Sequence, residues 1–592
     1  MQWDLTRLYH GFSDPNFEAD FEKAQQLTAA LGEKFARPKA DDMEQLKDLI
    51  NAFNELEGLV NRLRAMISLT LATEAQNEEA NAANDRLQAF MVYVRQCHSA
   101  FARYVGSLHH LDELIEKDPL LKEHAFVLRE NAQEAKHTLD PALEETVLKL
   151  RITGSGAWSQ LRGTLESTMN VPYEENGVLK NLPLPAARNL AYSPDAVTRK
   201  RAYEAELAAY PSIEVPMAAC LSGMKGEALT MLPLRHYDSL LEQTLEQSRM
   251  DRQTLDAMLQ AMQESLPAFR RYLRAKARVL GPEDGLPFYD LFAPLGSASD
   301  KTYTLEEARE LLVNVLGRFS DKMARHIQQA FDERWIDAYP RSGKRGGAFC
   351  SSVHPMGISY VLTNFDGSLS SVSTLAHELG HAYHNRCLNE QSVLNCHYPM
   401  PLAETASIFN ETLLSAKLME DAAEEEQVML LEQEISDATQ VIVDILSRYL
   451  FESEVVERRK THALSARELK EIMLDAQRRS YGDGLDERYL HPYMWACKSH
   501  YYRADLHFYN FPYAFGLLFG KGIFARYMER GDAFVPEYDQ LLRATATGNI
   551  ADVAASVGID VHAVDFWRSS LRVVEESIDR LCALLEKMPV DK

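Results

Sequence analysis

The sequence has no run of apolar residues long enough to span a membrane as a helix, which takes about 20 residues. The apolar stretch at residues 511–519 is about half that length and contains Pro512. The amino-terminal residues, Met1 to Leu5, are polar and lack the apolar segment of a secretory signal peptide. We therefore expect a cytoplasmic protein without a membrane partner.

Cysteine is scarce, and its spacing does not suit a disulfide framework. The 592 residues contain seven cysteines, an odd number, and no two of them form a C-x-x-C pair. They are Cys97, Cys220, Cys350, Cys387, Cys396, Cys497 and Cys582. Scattered cysteines of this kind are typical of reduced thiols in a cytosolic protein.

Positive charge is also in short supply. No basic tract stands out, and the formal net charge is -24. An acidic surface opposes binding to phosphate backbones and to anionic membranes. We therefore expect no nucleic-acid partner.

The composition is that of a large globular protein without low-complexity segments, repeats of fixed period or a Gly/Ser-rich linker. Hydrophobic residues make up 46% and charged residues 25%, both ordinary for a soluble protein with a substantial core. A chain of 592 residues is too long for one simple core, which favours two or more domains or one large multi-lobed fold. Residues 41–107 contain no proline and carry apolar residues at helical spacing, which predicts two long helices in an antiparallel hairpin.

Two segments interrupt the helical pattern. Residues 170–183 alternate apolar and polar residues around Asn176-Gly177, which predicts a β-hairpin. Residues 339–367 are rich in glycine and contain short β-prone stretches, which predicts a small sheet. We place a domain boundary near residue 190, giving a helical amino-terminal lobe with a small hairpin (1–190) and a second region (191–592).

The most informative stretch is residues 377–381, H-E-L-G-H. On a helix, residues four apart lie about 40° apart and one turn along the axis, so His377 and His381 can reach one metal ion. Leu375 and Leu379 fall on the opposite face and are available for the core. The competing interpretation is a solvated helix face with two unrelated histidines.

A catalytic zinc site needs a third protein ligand. The metzincin pattern requires Gly at 384 and His at 387, but the sequence has His384 and Cys387. A glutamate on a following helix is the alternative, and Glu404 follows His381 by 23 residues. Glu411 lies on the same helical face as Glu404, so one of the two can bind metal while the other orients a ligand.

These motifs resemble the oligoendopeptidase F branch of the thimet oligopeptidase family, which carries H-E-[LF]-G-H-x-x-H and, about 25 residues later, an E-x-x-S-x-x-x-E-like segment. The resemblance extends over much of residues 190–580. It implies one zinc ion per chain held by His377, His381 and Glu404, with Glu378 as general base on a zinc-bound water. It also implies hydrolysis of internal bonds in short unstructured oligopeptides, which become the expected partners.

The fold implied by this resemblance is mainly α, a large two-lobed multi-helix fold with a small β-sheet beside the zinc helix and a deep substrate channel. The resemblance further assigns His507 and Tyr513 to catalysis as hydrogen-bond donors to the oxyanion, with Tyr509 a candidate for substrate binding. Without the resemblance, these aromatic residues would be interpreted as part of the hydrophobic core.

The segment from Gly346 to Phe349 is similar to the edge strand that holds the substrate backbone in this family. Gly347 and Ala348 are therefore expected to bind the peptide main chain by strand addition. The competing interpretation is an ordinary glycine-rich turn.

Two other functions remain open at this point. A zinc metallocarboxypeptidase on a similar helical scaffold would share the metal motif and would need a cation for the peptide carboxylate, for which Arg345 and Arg503 are near enough in sequence. A helical scaffold with a dead zinc site would be expected to have lost a ligand or the base, and all four residues are present.

Overall fold

Helices account for most of the chain in this computed structural model, which describes residues 1–175, 177–282, 284–295 and 301–587. The α-helices of these residues are α1 (Pro15–Ala36), α2 (Asp42–Thr73), α3 (Glu78–Gly106), α4 (Leu111–Lys117), α5 (Pro119–Glu123), α6 (Ala125–Ala135), α7 (Pro141–Thr153), α8 (Ser155–Thr168), α9 (Leu184–Asn189), α10 (Ala196–Ala209), α11 (Glu214–Leu234), α12 (Leu240–Gln247), α13 (Arg252–Leu280), α14 (Leu305–Phe319), α15 (Asp321–Asp332), α16 (Leu369–Leu388), α17 (Met400–Ala403), α18 (Thr405–Asp421), α19 (Glu424–Thr439), α20 (Ile445–Arg459), α21 (Ala466–Tyr481), α22 (Phe511–Arg530), α23 (Val535–Ala544), α24 (Ile550–Ala555) and α25 (Val564–Leu585). The strands are β1 (Asn170–Glu175), β2 (Val178–Pro183), β3 (Ile336–Asp337), β4 (Phe349–Val353) and β5 (Ile358–Leu362).

The prediction of a mainly α, multi-helix fold with small sheets is confirmed. The expected helical hairpin is α2 followed by α3. The Asp41 side chain caps the start of α2 by accepting hydrogen bonds from the backbone N–H groups of Met43 and Glu44. The Asn77 side chain caps α3 by accepting a hydrogen bond from the backbone N–H of Ala80. These caps satisfy amide groups that the first helical turn leaves unpaired. No helix in the described ranges combines the length and apolar composition that a membrane span requires.

The chain divides into two compact units. The first contains the described residues within 1–138, 300–417 and 526–559, and the second those within 139–299, 418–525 and 560–592. The boundary expected near residue 190 falls inside the second unit, so it does not coincide with this division. As a statement about domains it stays a prediction, and so does the deep substrate channel.

In the first unit, α1, α2 and α3 pack into a three-helix bundle. Its core is formed by fully buried apolar side chains such as Phe21, Leu49, Phe53 and Phe101. The rings of Phe53 and Phe101 lie 5.0 Å apart between centroids. Each buried Phe or Leu contributes about 1.5–3 kcal/mol through removal of apolar surface from water, so this bundle is held together mainly by burial.

A small three-stranded sheet of the first unit has the strand order β3-β5-β4. The pair β4 and β5 is antiparallel, with Cys350 opposite Val361, and β3 is parallel to β5. Every residue of β5 is buried. Helix α16 packs against β4 and β5, so the predicted sheet lies beside the helix that carries the H-E-L-G-H motif.

In the second unit, the long helices α13 and α25 pack along one another, and α19 packs against α25. The predicted hairpin is present as β1 and β2, paired antiparallel from Asn170 opposite Pro183 to Glu175 opposite Val178. Asn176 of its predicted Asn-Gly turn lies outside the described residues, whereas Gly177 has the positive φ of 76° that favours glycine at such a turn.

Candidate metal centre

Helix α16 presents the two histidines of the motif on one face. The Ser368 side chain caps its start by accepting a hydrogen bond from the Ser371 N–H. Leu375 and Leu379 are fully buried on the opposite face. The side chains of His377 and His381 keep 23% and 17% of their surface exposed, so the core fixes the helix while a route to the imidazoles stays open.

The three predicted metal ligands lie together. The Nε2 atoms of His377 and His381 are 3.2 Å apart. The Oε2 atom of Glu404 is 3.2 Å from Nε2 of His377 and 3.5 Å from Nε2 of His381. Two imidazole nitrogens and one carboxylate oxygen that converge at these distances can hold one metal ion.

Glu404 occupies the break between α17 and α18, rather than the body of a helix. The Ser407 hydroxyl donates to Oε2 of Glu404 at 2.7 Å, and Oε2 is the oxygen that faces both histidines. The pKa of Glu404 falls to about 2, because the hydrogen bond from His377 and the neighbouring imidazoles outweigh the effect of burial. This carboxylate is therefore ionised and directed at the histidine pair.

Gly380 allows the two parts of the site to approach each other. A methyl group added at this position would lie 2.6 Å from the carbonyl oxygen of Ala406 and from Cα of Ser407. A real Cβ cannot come so close to a backbone, so only glycine permits the segment after Glu404 to lie directly against α16. Sequence reasoning did not find this role, although the glycine stands between the two histidines.

Glu411 contacts the other nitrogen of the first histidine. Its Oε1 atom lies 3.1 Å from Nδ1 of His377. In a metal site, a carboxylate at this position fixes the tautomer and orientation of the ligating imidazole. Of the two glutamates that the sequence left open, Glu404 therefore faces both Nε2 atoms, whereas Glu411 contacts Nδ1 on the opposite side of the His377 ring.

The protonation states suit a cation between these groups. Burial lowers the pKa of His381 to about 4, so its imidazole is neutral near pH 7. Burial also opposes charge on His377, but hydrogen bonds to Glu404 and Glu411 prevail and raise its pKa to about 10. A proton on His377 thus balances the two carboxylates, and a divalent cation at Nε2 can take over that balance.

Glu378 is next to His377 but is not part of the ligand cluster. Its side chain is buried, and the residue is 6% exposed. Burial, with smaller contributions from the Glu404 and Glu411 carboxylates, raises the pKa of Glu378 to about 7. A carboxylate with a pKa near neutrality is suited to accept a proton and to return it.

The third histidine of the motif, His384, serves packing. Its ring is fully buried and stacks on Tyr398 with centroids 4.2 Å apart. Its Nε2 atom lies 2.8 Å from the Thr545 hydroxyl, and burial lowers its pKa to about 3. It therefore anchors α16 and stays neutral.

The expected substrate strand lies at a sheet edge. Gly347 and Ala348 lead directly into β4, which is an outer strand of the three-stranded sheet. The Asn364 side-chain amide donates to the carbonyl oxygen of Gly347 at 2.8 Å, and Gly347 has a positive φ of 79°. The segment is thus an ordered approach to an edge strand, and its role in binding stays a prediction.

His507, Tyr509 and Tyr513 belong to the second unit. His507 is 2% exposed, with Nδ1 at 3.2 Å from Nζ of Lys225. The hydroxyls of Tyr509 and Tyr513 lie 2.5 Å apart, so the two tyrosines act as a pair. The role of these residues in the reaction stays a prediction.

Two family profiles match this chain. The profile described as peptidase family M3 matches residues 189–573, and the one described as oligopeptidase F matches residues 108–170. Oligopeptidase PepF of Bacillus subtilis is 24% identical over 598 residues, covering 99% of this chain and 87% of the relative. Group B oligopeptidase PepB of Streptococcus agalactiae is 24% identical over 601 residues, covering 99% and 97%.

Solved structures share the fold. A Chlamydophila abortus crystal structure superposes with a TM-score of 0.86 at 23% identity, covering 98% of each chain. Oligoendopeptidase F from Enterococcus faecium gives a TM-score of 0.70 at 17% identity, covering 97% of this chain and 100% of the other. Since the family match spans well over half of the sequence, the chain belongs to peptidase family M3 and is a metalloendopeptidase.

Proposed function

We propose that this protein is a zinc-dependent endopeptidase that hydrolyses internal bonds of short, unstructured oligopeptides. The observation that carries the proposal is the convergence of Nε2 of His377, Nε2 of His381 and Oε2 of Glu404 within 3.2–3.5 Å of one another. Glu378 stands beside this cluster without joining it.

The spacing of the ligand atoms supports zinc. Tetrahedral bonds of about 2.0–2.1 Å place ligand atoms about 3.3 Å apart, which matches the three distances of this cluster. Two imidazoles and one carboxylate are also a donor set that favours zinc over calcium or magnesium. When bound, the cation supplies Lewis acidity to the attacking water and to the scissile carbonyl.

Glu378 has the role of general base. Its carboxylate accepts the proton of the attacking water and then delivers it to the leaving amine. The raised pKa of about 7 helps both halves of this cycle, because the group is ionised often enough to accept a proton and acidic enough to release it. Burial also keeps bulk water away from the carboxylate.

Two further side chains hold the ligands in position. Glu411 accepts a hydrogen bond from Nδ1 of His377 and so leaves Nε2 directed at the ligand cluster. Ser407 donates to the ligating oxygen of Glu404 and restricts the rotation of that carboxylate. The side chains of His377 and Glu404 therefore have little freedom to lose when the metal binds.

We assign His507 and Tyr513 to the oxyanion as hydrogen-bond donors. What supports this is the resemblance of the segment around both residues to the family pattern and the donor chemistry of their side chains. Tyr509, which shares a hydrogen bond with Tyr513, and the Gly347–Ala348 segment are assigned to substrate binding. The edge strand β4 supplies main-chain groups, which select an extended peptide without demanding a sequence.

The substrate class follows from the relatives and from this binding mode. PepF and PepB are named oligopeptidases, and strand addition requires an extended chain. A folded protein does not present an internal bond in that form. We therefore propose oligopeptides as partners.

The decisive test is Glu378→Gln, which removes the base and keeps the ligands. We expect zinc content to stay near one per chain while kcat on an internally quenched peptide falls by about 100-fold or more. Glu390→Gln is the matched control, because its side chain is 80% exposed at the end of the same helical region. An unchanged kcat in Glu378→Gln would exclude the proposed mechanism.

Blocking the carboxy-terminus of the peptide distinguishes the proposed endopeptidase from a metallocarboxypeptidase. The endopeptidase cleaves a peptide and its carboxy-terminal amide equally at internal bonds, whereas a carboxypeptidase needs the free carboxylate. Of the two candidate cations, Arg503 is already paired with Asp505 at 2.9 Å. Cleavage restricted to the free carboxy-terminus would favour the carboxypeptidase.

A further inference from the structure

A buried ion pair stands behind His507. Lys225 of α11 donates to Oε1 of Glu452 of α20 at 2.5 Å, and its Nζ atom is also 3.2 Å from Nδ1 of His507. The side chains of Lys225 and Glu452 are 1% and 4% exposed, and His507 is 2% exposed. All three belong to the second unit.

This contact and the Ala504 backbone carbonyl, a hydrogen-bond acceptor for the ring, are the groups that bear on where the imidazole carries its proton. A lysine ammonium has three donors and no acceptor, so Nδ1 of His507 must accept from it. Neutral imidazole has one proton, which is then on Nε2. We propose that Lys225, held by Glu452, is a positioning residue that fixes His507 as the Nε2–H tautomer. This inference rests on the proposed function, in which His507 acts as a donor.

The remaining nitrogen is available for that task. Nε2 of His507 is buried and has no hydrogen-bond partner among the described residues. A buried N–H without a partner is destabilising, so an unpaired one here suits a group whose acceptor arrives with the substrate. Burial and the charge of Lys225 also lower the pKa of His507 to about 2, so the ring stays neutral.

Other charged groups near the ring are engaged elsewhere. Asp505 also acts on His507 but is paired with Arg503 at 2.9 Å. Arg151 has a smaller effect on the ring and is paired with Glu227 at 3.1 Å. The Thr244 hydroxyl donates to the His507 backbone carbonyl at 3.1 Å and fixes the main chain. Lys225 is thus the charged group in hydrogen-bonding contact with the imidazole.

The test compares Glu452→Gln with the double variant Lys225→Met/Glu452→Gln. Glu452→Gln keeps the lysine donors, and the double variant removes them without leaving an unpaired buried carboxylate. Proton–nitrogen correlation spectra of 15N-histidine-labelled protein report which ring nitrogen carries the proton, and His507→Gln assigns the signal. We expect Nε2–H in the wild type and in Glu452→Gln, and a mixed or titrating ring in the double variant.

The second readout is kinetic. We expect kcat of the double variant to fall by about tenfold or more, with KM changed by less than about twofold, because a misdirected donor is felt in the transition state. The matched control is Lys276→Met/Glu432→Gln, which removes a comparable buried pair with a 2.5 Å contact and no histidine partner. It is expected to lower stability while leaving the His507 spectrum and kcat unchanged.

The outcomes separate the two claims. A protonated Nδ1 in the wild type would overturn the inference, and so would a double variant whose spectrum and kcat match the wild type. An equal fall in kcat in the Lys276→Met/Glu432→Gln control would also overturn it, since the effect would then be one of stability. The endopeptidase itself is tested by Glu378→Gln, which does not touch this cluster.

Discussion

Gly380 of α16 lies so close to Ser407 that a methyl group at the glycine would be 2.6 Å from Cα of the serine. This contact brings the segment after Glu404 against the helix that carries both histidines. We predict that Gly380→Ala separates the two segments, because the atoms that the new methyl group would meet are backbone atoms and cannot rotate away. Overpacking of this kind costs about 1–3 kcal/mol of unfolding free energy.

The same variant should weaken metal binding more than its stability loss suggests, since Glu404 would move relative to the histidines. Urea unfolding and zinc titration of the chelator-treated protein measure the two effects. Gly32→Ala is the control: this helical glycine of α1 has open space around it, so alanine there should be neutral or slightly stabilising. Wild-type zinc affinity in Gly380→Ala would contradict the prediction.

Glu411→Gln tests the support of His377. The amide cannot carry the negative charge that now faces Nδ1 at 3.1 Å. Because such outer carboxylates raise the basicity of a ligating imidazole, we expect zinc affinity to fall by about 10- to 100-fold. Competition with a fluorescent chelator measures the affinity, and Glu390→Gln is the control for loss of a surface carboxylate. Equal affinities in the two variants would show that Glu411 has no such role.

Whether a contact can be predicted from the sequence depends on how far apart its residues lie along the chain. The pairing of His377 with His381 depends on helical periodicity, which five consecutive residues reveal. The small sheet was predictable from β4 and β5, but β3 is only two residues long and gives no alternation to detect. Local sequence patterns therefore predicted the metal-binding face of α16 and two of the three strands beside it.

The contacts between distant segments were not predictable in this way. Glu404 and Glu411 remained interchangeable on spacing alone, and the structure distinguishes them because Ser407 and the break before α18 turn one carboxylate toward the Nε2 atoms. Lys225 and His507 are 282 residues apart, so no sequence motif joins them. These contacts become visible only in the packing of separate segments of the folded chain.

Metal removal should abolish activity reversibly. The three ligand atoms converge from two segments of the chain, so we expect a chelator to eliminate turnover and one equivalent of Zn²⁺ to restore it. Mg²⁺ and Ca²⁺ should not restore it, because they prefer oxygen ligands. Bound metal also stabilises the native state by mass action, so the chelated protein should have a lower Tm. Full activity at less than about 0.2 zinc per chain would contradict the assignment.

His507→Ala and Tyr513→Phe test the proposed oxyanion donors. Each change removes a donor that acts only when charge develops on the scissile carbonyl, so kcat should fall by about 100-fold while KM changes little. Tyr192→Phe is the control, because this hydroxyl belongs to a residue that is 60% exposed and has no role in the proposal. Tyr509→Phe removes the hydroxyl that pairs with Tyr513 at 2.5 Å, so it should mainly raise KM if Tyr509 binds substrate. Steady-state kinetics on one internally quenched peptide separate these cases. An effect of His507→Ala or Tyr513→Phe confined to KM would move that residue from catalysis to substrate binding.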